Sequence, residues 1–193
     1  MTRVPEETLR RLFALGDERW EQFRQRRDKT YHAFVPADYA PVTAVLSQLR
    51  SRADSFLELG SGVGVVAIVA ALLGYDSAGI EIDPWLVGAS EDLAVEFDAP
   101  VTFATGTFVP AEFQETVDRH ESEIPTVADG LPAYSELGCD LDDFDLVYAF
   151  PWPGTEDVFF EMMAAHGRPG ALFLTFGELE GCRIWRDGEE ITL

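Results

Sequence analysis

The apolar positions of this chain change period along its length, and each change marks an element. Leu9, Leu12, Phe13, Trp20 and Phe23 recur at helical spacing, so residues 5–27 are predicted to form an amphipathic helix. Its other face carries Arg10, Arg11, Arg19, Arg24, Arg26 and Arg27, which read better as a solvated face salting against acids than as a partner-binding patch. Tyr31 to Pro36 reads as a short extended segment. Asp38 suits the N-cap of a second helix, with Val42, Val45, Leu46 and Leu49 inward. From Phe56 onward short apolar runs alternate with longer helical ones. The pattern predicts strand 55–59, helix 63–73, strand 77–82, helix 84–97, strand 101–104 and helix 110–121. A loop rich in acids, Gly and Pro covers 122–143, then strand 144–149, helix 155–166 and strand 171–176 follow. Asp187-Gly188, between residues 182–186 and 189–193, signals an antiparallel hairpin.

Alternation of this kind implies an α/β fold: a doubly wound, mostly parallel sheet with right-handed crossovers. With the hairpin it has seven strands and is Rossmann-like in outline. One domain is expected over 1–193, with an N-terminal helical extension at 1–52 and the ligand-binding core at 53–193.

Charge narrows the partners. Residues 1–52 hold ten of the fourteen bases but only seven of the thirty-five acids, so the acidity behind the net −21 lies in the core. Such a body repels phosphate backbones, disfavouring nucleic acid, and attracts basic protein tails or cationic small molecules. Thirteen arginines stand against the single Lys29. An acid-rich, lysine-poor composition resembles that of halophilic proteins, whose self-repulsion salt screens. No apolar run reaches the roughly 18 to 20 residues of a membrane span. The N-terminus lacks a signal-peptide core, so a cytoplasmic protein with no membrane partner is expected. Cys139 and Cys182 lack metal-ligand spacing, and His32, His120 and His166 are scattered, so no metal site is expected.

The candidate chemistry begins at Phe56-Leu-Glu-Leu-Gly-Ser-Gly-Val-Gly64, a buried strand running into glycines at alternate positions and then into the apolar run Val65–Leu73. A strand, a glycine turn and a helix start form a nucleotide-binding device, because a ligand can sit against the main chain. Val65 stands where the dinucleotide fingerprint needs its last glycine, which opposes a nicotinamide-dependent oxidoreductase. Seventeen residues after Gly64, Glu81 ends the second strand, where a carboxylate accepts from both ribose hydroxyls of a nucleotide. Trp85 either flanks a bound base or covers the sheet edge. At the fourth strand's exit, Tyr148, Phe150, Pro151 and Trp152 form an aromatic, proline-stiffened wall. Its rings either hold an alkylammonium nitrogen by cation–π contact or simply pack.

An acid two residues before Gly-x-Gly-x-Gly resembles motif I of the class I S-adenosylmethionine (SAM)-dependent methyltransferases. The closing hairpin is likewise similar to the end of that fold. The resemblance implies SAM as cofactor, with Glu58, Gly60, Ser61, Gly62 and Gly64 at its methionine end, Glu81 and Ile82 at its ribose, and Trp85 beside its adenine. Thr107 stands in place of the family's adenine-binding acid, and Phe150 where base amino-methyltransferases carry Asp or Asn. Phe34-Val-Pro36, Leu57-Glu-Leu-Gly-Ser-Gly62 and Gly79-Ile-Glu-Ile-Asp-Pro-Trp-Leu-Val87 are more narrowly similar to protein-lysine methyltransferases acting on mitochondrial carrier and ATP synthase subunits. Those enzymes carry a membrane anchor, and usually Asp-Gly-Arg where this chain has Val63-Gly64-Val65. The expectation is a SAM-dependent methyltransferase whose acceptor is an amine of a basic protein or small molecule, with no residue standing out as catalytic base. The alternative is a non-catalytic SAM- or nucleotide-binding protein of the same fold.

Overall fold

The computed structural model describes residues 4–26, 37–120, 130–152 and 154–193. The expected extended segment at 31–36 and the 122–129 part of the acidic loop lie outside the described residues. Seven strands make one sheet in the order β3-β2-β1-β4-β5-β6-β7. They are β1 Ser55–Leu59, β2 Asp76–Glu81, β3 Val101–Thr105, β4 Leu146–Ala149, β5 Leu172–Gly177, β6 Gly181–Arg186 and β7 Glu189–Ile191. The first five are parallel, and β6 and β7 each run antiparallel to the strand before.

The period-2 rule divides β1 cleanly. Phe56 joins the core on one face, while Leu57 and Leu59 join the core on the other. The first face is covered by α1 (Glu6–Arg26), α2 (Tyr39–Leu49), α3 (Val65–Leu73) and α4 (Pro84–Glu96). The opposite face is covered by α5 (Gln114–His120), the single turn α6 (Tyr134–Leu137) and α7 (Glu156–His166). Among the described residues no helix is long and apolar enough to cross a membrane.

The expected elements are present with shifted ends. The helix expected at 63–73 begins at Val65 because Gly64, at φ +73°, is its N-cap and cannot continue the helix backward. The helix expected from 110 opens as a 3₁₀ turn over Ala111–Phe113 before α5. The fourth strand starts at Leu146, two residues late, because Asp145 is engaged elsewhere. Its carboxylate accepts from the N–H of Asp54 (3.0 Å) and Ser55 (3.2 Å) and pairs with Arg168. Partial burial opposes ionisation, yet these donors together hold its pKa below the usual carboxylate range. Strand order reverses between β1 and β4, so a crevice opens there beyond the carboxyl ends of the strands.

Candidate functional site

The glycine turn leaves β1 at this crevice, and two carboxylates shape it, Glu58 buried and Glu81 half-buried. Gly64 caps α3 without a side chain, so the first turn of that helix needs an acceptor from elsewhere. Glu58 supplies it from β1, its Oε2 accepting from the Ala67 N–H at 2.8 Å. Burial pushes the Glu58 carboxyl up to about 8, with the Glu81 charge adding to the rise and the Ala67 hydrogen bond opposing it. Glu81 ties the turn to the next strand: its Oε2 accepts from Gly62 N–H and its Oε1 from Asp83 N–H, both at 2.9 Å. Burial raises the Glu81 pKa, partly offset by these backbone donors. A carboxylate has about four acceptor positions, so acceptor capacity remains for a ligand. Asp83 caps α4 by accepting from Trp85 N–H at 2.9 Å, and Ser90 Oγ donates to the Gly62 carbonyl at 3.0 Å.

The cleft so formed holds a cavity of about 120 Å³. It brings together eight of the residues expected from sequence: Glu58, Gly60, Ser61, Gly62, Glu81, Ile82, Tyr148 and Phe150. Gly64, Trp85, Thr107, Pro151 and Trp152 do not line it. A Cβ on Gly64 would stand 2.5 Å from the Phe103 ring, so this glycine permits helix–strand packing. Trp85 stacks on Phe23 of α1 at 5.7 Å, with the Arg26 guanidinium 5.3 Å above it. Thr107 is buried in a parallel bridge to Pro132. Its N–H donates to the Leu131 carbonyl at 3.1 Å, and its Oγ1 accepts from Val109 N–H at 3.2 Å. Pro151 is buried, and the Trp152 carbonyl accepts from the N–H and hydroxyl of Thr155, both at 2.9 Å, closing a turn.

Among the further residues that line the cleft, and that sequence reasoning did not place at a site, are three aromatics: Trp20 and Phe23 from α1, and Tyr39 at the start of α2. Trp20 comes to 4.0 Å from the Cβ position of Gly62 and Phe23 packs on Trp20 and Trp85, so the two rings roof the cleft beside the glycine turn. The Arg11–Glu96 ion pair and the Arg11 guanidinium, 5.1 Å from the Phe97 ring, pin α1 to α4. Spacing marks Trp20 and Phe23 only as the apolar face of a helix.

The residues present fit a zwitterionic nucleoside such as SAM. Ser61 Oγ and Tyr148 Oη are buried with no hydrogen-bond partner among the described residues, and both residues line the cavity. The Cβ position of Gly60 is open for 4 Å around, leaving the turn bare to a ligand. A cavity of about 120 Å³ falls short of the roughly 300 Å³ at the lower end of small-molecule sites. Trp20 and Phe23 of α1 are among the residues that bound the cleft at this size.

No family model matches the chain. Over 54 residues it is 44% identical to the ATP synthase C-subunit lysine N-methyltransferase of Xenopus laevis and 43% identical to that of Homo sapiens. Those stretches are 28% of this chain and only 24% and 23% of the two relatives, so the match spans about a quarter of their length. An RNA methyltransferase from Salinibacter ruber, solved with S-adenosyl-L-homocysteine, superposes with a TM-score of 0.55 at 22% identity, covering 82% of this chain and 97% of that one. An O-methyltransferase from Bacillus cereus, also solved with S-adenosylhomocysteine, gives 0.54 at 14% identity over 89% of this chain and 66% of that one. The sheet order, the glycine turn at the strand-order reversal and these superpositions agree: the chain has the fold of the class I SAM-dependent methyltransferases.

Proposed function

We propose that this protein is a SAM-dependent methyltransferase whose acceptor is an amine on a basic protein or small molecule. The observation that carries the reading is the cleft itself. A bare glycine turn, a buried and a half-buried carboxylate, and two hydroxyls with no partner among the described residues converge where the strand order reverses. Glu81 would hold the ribose hydroxyls, and Gly60, Ser61 and Gly62 would lie along the methionine portion with Glu58 beneath. When bound, SAM supplies an electrophilic sulfonium methyl. The protein's task is then to hold the acceptor in line and to keep water out, for which the roof of Trp20 and Phe23 is suited.

Two observations support an amine acceptor over nucleic acid. The net charge of −21 repels phosphate and attracts cations. The curated relatives matched over 54 residues are lysine methyltransferases. Two observations favour the second reading, a SAM-binding protein without chemistry: Thr107 is engaged within the chain, and Phe150 puts no polar side chain at the fourth strand's exit.

Radiolabelled methyl transfer from SAM to a proteome extract tests the proposal. The expected label is lost on protease treatment or migrates as a small molecule, and survives nuclease. Label lost on nuclease treatment would overturn the amine reading. Full cofactor binding with no label in any fraction would favour the binding protein.

A further inference from the structure

A second hollow lies at the amino end of β5, on the α5–α7 face of the sheet, and shares no lining residue with the glycine-turn cleft. It encloses about 320 Å³, against about 120 Å³ for the cleft, and so reaches the roughly 300 Å³ at which small-molecule sites begin. Local sequence shapes it. α7 ends at His166, with Gly167 as its cap and Pro169 just beyond, where helices stop. The chain then turns into β5, while Asp187-Gly188 turns β6 into β7. The hollow lies between these two turns and the last turns of α7.

Its floor is aromatic. Phe173 of β5 is 3% exposed. Phe160 of α7 stands edge-on to Phe173 at 5.6 Å and to Trp185 of β6 at 4.7 Å. Trp185 Nε1 donates to Thr175 Oγ1 at 3.2 Å, which fixes that ring, and Met163 lies alongside. Protein interiors leave few voids larger than a water molecule. Three fixed rings around a hollow of this size therefore present apolar surface that a flat apolar group would cover.

The rim is polar and balanced. Among the described residues its lining holds one acid, Asp187, and one base, Arg168. Asp187 Oδ1 accepts from Gly170 N–H at 2.8 Å, which ties the carboxylate to the loop that carries Arg168. Arg168, its side chain 51% exposed, pairs with Asp145 through one guanidinium nitrogen. A guanidinium has five N–H donors and a carboxylate about four acceptor positions, so both groups keep capacity for a ligand. A cation alone would face the like charge of Arg168, and an anion alone that of Asp187. A ligand carrying both charges close together satisfies the pair.

We propose that this hollow binds an α-amino acid with an aromatic side chain. Its ring lies against Phe160, Phe173 and Trp185, its carboxylate accepts from Arg168, and its ammonium donates to Asp187. The site is separate from the methyl-transfer cleft and stands or falls without that reading.

The experiment titrates wild-type protein, Asp187→Asn and Ala164→Phe calorimetrically with L-phenylalanine, 3-phenylpropionate and phenethylamine. Asp187→Asn removes the charge, keeps a carbonyl for Gly170 N–H, and suits the φ of +50° at this position. Ala164 is exposed on α7 beside the hollow, so a phenyl ring there fills the space without disturbing the core, and the melting temperature should hold. Wild-type protein should bind L-phenylalanine saturably, and each probe lacking one charge about tenfold more weakly. Asp187→Asn should weaken L-phenylalanine about tenfold and leave 3-phenylpropionate no weaker, while Ala164→Phe abolishes both. No saturable binding of L-phenylalanine by wild-type protein, or binding that survives Ala164→Phe, overturns the site. If either single-charge probe matches L-phenylalanine, or Asp187→Asn leaves L-phenylalanine binding unchanged, the amino-acid assignment is overturned.

Discussion

Replacing Glu81 by alanine is expected to weaken S-adenosylhomocysteine binding by roughly 10- to 150-fold, the equivalent of about 1.5–3 kcal/mol for a hydrogen bond to a charged group. Two losses contribute. The first is the direct acceptor for the ribose hydroxyls. The second is internal, because Glu81 holds the Gly62 and Asp83 N–H groups and so fixes the glycine turn against β2. Without it both donors lose their partner in a partly buried site, and the turn is free to reorient. Glu81→Gln separates the losses: its single carbonyl replaces one acceptor, while its amide meets the other N–H donor unfavourably. Both variants should bind more weakly than wild type, and their order reports whether the lost acceptor or the misplaced amide costs more. Undiminished affinity in the Glu81→Ala variant would remove Glu81 from the cofactor site.

Glu58→Gln is expected to change how stability depends on pH. The Glu58 carboxyl is raised from 4.5 to about 8 in the folded, ligand-free protein. Between those values the folded state keeps a proton that the unfolded chain has lost. Because the folded state then binds more protons, stability falls as pH rises through this window and is level above it. The fall attributable to this group is on the order of 5 kcal/mol, at about 1.4 kcal/mol per pKa unit. The amide introduced by Glu58→Gln retains a carbonyl to accept from Ala67 N–H and has no charge to bury. Denaturant unfolding at pH 5 and pH 8.5 should therefore show a steep decline for wild-type protein and a shallower one for Glu58→Gln. The variant should be the more stable of the two at pH 8.5, while binding S-adenosylhomocysteine less tightly. Parallel pH dependences for the two proteins would contradict the buried, raised carboxyl.

Much of this architecture is legible in the residues because local patterns encode it. The run from Phe56 to Gly64 specifies the first strand, the turn and the helix start, since buried strand residues and left-handed glycines are local constraints. Asp187-Gly188 marks the terminal hairpin for the same reason: Asp187 has φ +50° and Gly188 φ +81°. The helix boundary at Val65 and the late start of β4 escape a local reading because they depend on a cap and on Asp145 bonding to a distant strand. The site divides in the same way. Glu58 and Glu81 are visible through their spacing from the glycines. Trp20 and Phe23 are visible only as the apolar face of a helix, because that pattern is the same whether the face covers a core or a cleft. Tyr39 carries no signal beyond its place after the Asp38 cap. The family resemblance is what points Thr107 toward the cofactor; the bridge of its backbone to the segment at Leu131 and Pro132 is a distant contact that no local pattern announces.

If the glycine-turn cleft takes SAM, calorimetric titration of the wild-type protein with S-adenosylhomocysteine and, separately, with NAD will distinguish the two ligands. Saturable one-to-one binding of S-adenosylhomocysteine is expected, and no saturable heat with NAD, since Val65 occupies the last glycine position of the dinucleotide fingerprint. Saturable binding of NAD without binding of S-adenosylhomocysteine, or binding of neither, would contradict a SAM site in this cleft.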